Sequence, residues 1–95
     1  MNFTKNDFYI LDTMRTLNAT NPIGSISIAT FIKATKLSHT KIRTSVKMLI
    51  EAGYAAEGYK EFNAKTYYIT KVGLEKMNEI YSQNSIILNT KLEEF

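Results

Sequence analysis

Cysteine is absent from the 95 residues, and histidine and proline occur once each. Without cysteine there is no disulfide framework and no thiolate chemistry. A lone His39 leaves a structural zinc site without ligands. No stretch approaches the roughly 18 apolar residues needed to span a bilayer. The amino terminus, Met-Asn-Phe-Thr-Lys-Asn-Asp, is too polar for a signal peptide, so the expected location is the cytoplasm, away from membranes. Asn2-Phe3-Thr4 and Asn18-Ala19-Thr20 match the glycosylation triplet, but without a secretion signal both read as chance. Catalytic patterns are missing too. The chain has no nucleophile–base pair, glycine-rich phosphate loop or paired-carboxylate constellation, and Glu75 and Glu79, one helical turn apart, read as helix surface. His39 lacks an evident partner for acid–base work. The expectation is a protein that is not an enzyme and uses no cofactor and no metal.

Acidic residues are also missing over a long interval. None occurs from Thr13 to Ile50, where Arg15, Lys33, Lys36, Lys41, Arg43 and Lys47 are basic, and seven of the nine acids fall at Glu51 or later. The net charge of +3 is modest, but this distribution suggests one surface facing a polyanion and another serving a different purpose.

Ninety-five residues form a single domain, 1–95, able to bury roughly 60–65% of its unfolded surface. A hydrophobic content of 44% is that of a globular chain rather than a disordered one. The stretch from Leu37 to Tyr54 organises the rest. Ser38 is a good N-cap and Gly53 a good helix stop. Ile42, Val46 and Leu49 recur at i, i+4 and i+7 as an apolar seam. Thr40, Thr44, Lys47 and Glu51 lie opposite, with Lys41 and Arg43 on the flanks. Short hydroxyls let a helix approach a groove closely, and cations meet phosphates on either side.

Before this helix, Thr4-Lys-Asn-Asp7 has capping-box spacing with Asp as the reciprocal acid. Phe8, Ile10, Leu11, Met14 and Leu17 carry a helical stripe to about Ala19. Pro22 and Gly24 break it. Ser25-Ile26-Ser27 is an extended link, at most a one- or two-residue strand. A second helix is expected over Ile28–Thr35, capped by Ser27, with Ile28, Phe31 and Ile32 inward. Leu37 then plugs the short turn before Ser38, giving a helix-turn-helix. After Gly53 the period turns to alternation. Tyr54–Tyr59 and Lys65–Ile69 flank the polar tip Lys60–Ala64 as a hairpin. Phe62 at the tip is either a packing residue under the hairpin or an exposed contact, with packing the favoured reading, and one of Tyr67 and Tyr68 is expected in the core. Thr70 caps a closing helix whose apolar side is Val72, Leu74, Met77, Ile80 and Tyr81, to about Gln83. The tail, with Ile86, Ile87, Leu88 and Leu92, is read as a short helical extension.

The run from Phe31 to Met77 resembles winged helix-turn-helix DNA-binding domains, the MarR- and PadR-like small bacterial or phage regulators. The likeness rests on Ser38-His-Thr-Lys-Ile-Arg-Thr-Ser-Val-Lys-Met-Leu-Ile-Glu-Ala-Gly53, on Lys65-Thr-Tyr-Tyr-Ile-Thr70, and on Thr70-Lys-Val-Gly-Leu-Glu-Lys-Met77. It implies an α+β, mostly α fold: helix, helix-turn-helix, β-hairpin wing, C-terminal helix. It also implies that Ser38, His39, Thr40, Lys41, Arg43, Thr44 and Lys47 lie in or beside the major groove. The tip, with Lys60 and Lys65, would lie near the adjacent minor groove or backbone. Unlike the strongest wings, this one carries Glu61 and has no arginine.

The expected function is sequence-specific binding of double-stranded DNA by a homodimer, in transcription regulation. The apolar tail and closing helix, about 70–95, would form the dimer contact with Phe3 and Phe8. A plasmid or phage partition adaptor that coats centromere repeats is the alternative within DNA binding. A winged helix that binds protein partners and no DNA is the alternative outside it.

Overall fold

The computed structural model describes residues 3–94, with side chains through Gln83. Along them run α1 (Lys5–Thr16), β1 (Ile26–Ser27), α2 (Ile28–Thr35), α3 (His39–Glu51), β2 (Ala55–Glu57), β3 (Thr66–Ile69) and α4 (Lys71–Glu94). This is the expected order of helix, helix-turn-helix, hairpin and helix.

The capping box at the start of α1 is formed. The Asp7 N–H donates to Thr4 Oγ1 at 3.2 Å and the Thr4 N–H donates to Asp7 Oδ2 at 2.8 Å. That exchange satisfies a carboxylate only 4% exposed,. Ile10, Leu11 and Met14 are fully buried. The helix stops short of Ala19, because Asn18 takes a left-handed φ of 59° and the Ala19 N–H turns back to the Met14 carbonyl at 2.8 Å. Leu17, expected on the inner stripe, therefore becomes the C-cap and is exposed, while Ala19 is buried in its stead.

α2 has the expected bounds, but the Ser27 hydroxyl makes no capping bond. Ser27 is instead a strand residue paired with Thr66, and its Oγ lies 3.4 Å from Thr30 Oγ1. Phe31 is fully buried, with Ile28, Ile32 and Leu37 packed partly against the core. At the start of α3 the Lys41 N–H donates to Ser38 Oγ at 3.2 Å. At its end, Gly53 has φ 82°. The Tyr54 N–H reaches the Leu49 carbonyl at 2.9 Å and the Gly53 N–H reaches Ile50 at 3.0 Å, the paired bonds of a Schellman end. Ile42, Val46 and Leu49 are buried as expected.

The sheet is antiparallel with order β1-β3-β2. The two-residue link is thus a true edge strand, placing Ile26 opposite Tyr67, while Ala55 faces Ile69. Tyr67 is in the core and Tyr68 half-buried. Thr70 caps α4, accepting from the Gly73 N–H at 3.1 Å. Val72, expected inward, is exposed, because Gly73 and Met77 occupy the face turned to the core. Met77 is fully buried, and Tyr81 packs its ring 5.9 Å from that of Phe8. The closing helix therefore uses much of its apolar side within its own domain, as do Phe3, edge-on to Tyr54 at 6.3 Å, and Phe8. α4 continues without a break for 24 residues, lengthening the molecule to 50 × 25 × 25 Å. The side chains of Ile86, Ile87, Leu88 and Leu92, assigned above to the dimer contact, lie outside those described. Among the described residues no helix is long and apolar enough to cross a membrane.

Candidate nucleic-acid interface

The seam that buries Ile42, Val46 and Leu49 turns the opposite side of α3 to solvent. Ser38, His39, Thr40, Lys41, Arg43, Thr44 and Lys47 are all exposed. Ion pairs among the described residues join Arg15 to Asp12, Lys65 to Glu57 and Lys76 to Glu79, and none involves a cation of α3. The free amides at the start of α3 add a partial positive charge to the same end of this face.

Two clefts separate α3 from the hairpin. One, of about 340 Å³, is lined by His39, Arg43, Lys65 and Tyr67 together with Ser27 and Ala29. The other, of about 470 Å³, is lined by Arg43, Thr44, Lys47 and Tyr67, but also by Glu51 and Glu57. Arg43 borders both. The structure thus brings together Arg43 and Lys65, which the sequence had assigned to different grooves. It also grades the charge: the carboxylates sit towards the end of α3, and the cleft at its start is the cationic one. An anion held at the first cleft would meet cations from two elements.

On the wing, Lys60 and Lys65 are exposed. Lys65 Nζ lies 3.5 Å from Glu57 Oε1, with both side chains more than half exposed. Such a pair is worth little in water, so Lys65 can exchange it for a phosphate. Arg15 does not join this face. Its Nη2 is 2.8 Å from Asp12 Oδ1 and 3.1 Å from the Tyr81 hydroxyl, and its guanidinium lies 4.9 Å from the centre of the Tyr81 ring. Hydrogen bonds to Asp12 and then Tyr81 raise its pKa further above the ordinary arginine value. One of the six cations in the acid-free interval therefore serves to tie α1 to α4.

For Phe62, sequence reasoning favoured the wrong one of its two alternatives. Expected to pack under the hairpin, it is 95% exposed and takes a left-handed φ of 57°. The turn is closed by the Glu61 and Ala64 backbones, each N–H donating to the other's carbonyl at 3.0 Å. A two-residue tip leaves nothing beneath the ring to pack on. The only available signal was the shortness of the polar segment between the two arms.

No family model matches the chain. Over 80 residues, 84% of its length, it is 34% identical to the DNA-binding protein TubR of Clostridium botulinum C phage, and the match spans 99% of that protein. The chain belongs to the TubR family of DNA-binding proteins. The solution structure of the DNA-binding TubR fragment from Clostridium botulinum superposes on this TubR-family chain with a TM-score of 0.69, at the same identity and coverage. A MarR family transcription regulator superposes with a TM-score of 0.83 over 97% of the chain, at 15% identity. That second likeness is one of fold, and the chain spans only 58% of that regulator. The winged-helix resemblance therefore holds, and within it the kinship is with TubR.

Proposed function

We infer that the chain binds duplex DNA sequence-specifically as a homodimer and thereby regulates transcription. The observation that carries this reading is the outer face of α3, on which Lys41, Arg43 and Lys47 are exposed and take part in no ion pair among the described residues. A helix fits the major groove, where Thr40 and Thr44 allow close approach and Arg43 has the fork geometry to read a guanine edge. Lys41, Lys47 and the cleft shared by His39 and Lys65 suit the flanking phosphates. The role needs no catalysis and no cofactor, and it belongs to the cytoplasm.

A single winged helix reads only a few base pairs, so two copies on half-sites about 34 Å apart give the needed affinity. The length of α4 supports an isologous contact through the C-terminal region, about 70–95. Met77 and Phe8 contribute little to such a contact, being packed within one domain.

Fluorescence anisotropy with a mixed-sequence duplex tests the reading. Between 50 and 200 mM salt, affinity should fall by about 10³-fold or more if six phosphates are neutralised. Absent or salt-indifferent binding would instead favour a winged helix that contacts proteins. A second reading, a partition adaptor coating centromere repeats, is favoured by a specific observation: the 34% identical relative is encoded by a phage. Footprinting separates the two, since an adaptor protects a run of evenly spaced sites and a repressor an isolated inverted repeat.

A further inference from the structure

Phe62 is the most exposed of the large apolar side chains described, at 95%. None of the aromatic pairs found among the described residues includes it. Its φ of 57° lies where a bulky residue is an outlier and glycine or asparagine is at home,. Asparagine is the very next residue, yet it is Phe62 that takes the left-handed position. The reciprocal bonds between Glu61 and Ala64 hold the tip closed. A closed turn thus projects a ring into water in a conformation that its residue type disfavours. Neither packing nor turn chemistry accounts for the ring, and such outliers cluster at ligand contacts.

We propose that Phe62 is a wedge that enters the DNA minor groove beside α3 and partly unstacks one base step. This rests on the duplex-DNA reading given above. Lys60 and Lys65 stand on either side of the tip to meet the two phosphate strands, while no arginine lies between them to enter the groove as a cation. Glu61, next to the ring, is repelled by phosphates, so the tip is unsuited to ion pairing with the backbone. Insertion of a neutral ring is the chemistry that remains. An apolar wedge in the minor groove kinks the duplex towards its major groove. In this fold that bend would wrap the neighbouring major groove more closely around α3.

The chain contains no tryptophan, so Phe62→Trp supplies a single reporter at the tip. It is titrated with a mixed-sequence duplex of three helical turns carrying a dye, whose anisotropy reports binding independently. The expected result is strong quenching of the indole and a several-fold loss of its accessibility to iodide as the duplex binds. Phe62→Gly provides the second readout. It should melt no lower than wild type, because the left-handed turn suits glycine and no core contact is removed. It should nevertheless bind duplex about fivefold or more weakly, the loss of one base–aromatic stack, with an unchanged salt slope because no phosphate contact is lost. A bound duplex with an indole still open to iodide, or a Phe62→Gly variant that binds like wild type, overturns the wedge and leaves the DNA reading standing. A wild-type chain that binds no duplex overturns both.

Discussion

A methyl group added at Gly73 would place a carbon 2.2 Å from the Tyr54 carbonyl oxygen and 2.7 Å from Ile69 Cγ1. Neither backbone nor buried side chain can yield there, so Gly73→Ala should cost about 2–3 kcal/mol or more. Gly53 has open space around it but a φ of 82°, and Gly53→Ala should cost about 1 kcal/mol from backbone conformation alone. Urea denaturation ranks the two, and a reversed order would contradict the packing of α4 against β3 and the Tyr54 carbonyl. Tyr81 offers a pH test. Its hydroxyl donates to Asp12 Oδ1 at 2.6 Å, and that bond, then desolvation, raises its pKa above the ordinary 10.0. The folded state thus holds the phenolic proton more tightly than the unfolded one. The resulting stability is complete below the unfolded value and is lost as the pH rises through the higher, folded one. As the pH rises above about 10, wild type should lose stability more steeply than Tyr81→Phe, and parallel curves would show that the bond is not made in solution,.

At the scale of elements, α3 has a buried seam and an exposed face that can be altered separately. Leu49→Ala should cost about 2–5 kcal/mol of stability, read as a lowered melting temperature, without altering the outward face. Arg43→Ala should cost about 1–3 kcal/mol of binding and relax preference at one base pair. Lys47→Ala should weaken all sequences alike and lower the salt slope by about one. Equal affinities for both variants and wild type, with folding intact, would remove α3 from the interface. This division was legible in the sequence because a 3.6-residue period assigns Ile42, Val46 and Leu49 to one side whatever they touch. The Thr4 box, the Ser38 cap and the Gly53 stop were legible for a similar reason, since each is a bond between near neighbours. The misses turned on backbone conformation and on long-range contacts. Leu17 and Val72 fit their stripes, but Asn18 and Gly73 decided how far each stripe runs. Arg15 read as one more surface cation, since its partner Tyr81 lies 66 residues away. The shared cleft of Arg43 and Lys65 depends on how the hairpin lies over α3, which no local pattern encodes.

For the whole molecule, truncation tests the proposed dimer. A chain ended at Gln83 should sediment as a monomer at tens of micromolar and the full chain as a dimer. A full-length monomer under those conditions, with or without DNA, would remove the proposed contact. One hydroxyl ties three elements of the domain together. Thr70 Oγ1 donates to the Gly53 carbonyl at 2.6 Å while accepting from the Gly73 N–H, and the Thr70 N–H donates to Tyr54 O at 3.0 Å. The end of α3, the root of the hairpin and the first turn of α4 are therefore joined at one point. In deuterium exchange, the amides of Gly53, Tyr54, Thr70 and Gly73 should behave as a cooperative unit with one opening rate, while those of the hairpin tip exchange much sooner. The hairpin can then flutter at its tip on a fast clock, but its root moves only when α3 and the long C-terminal helix loosen with it.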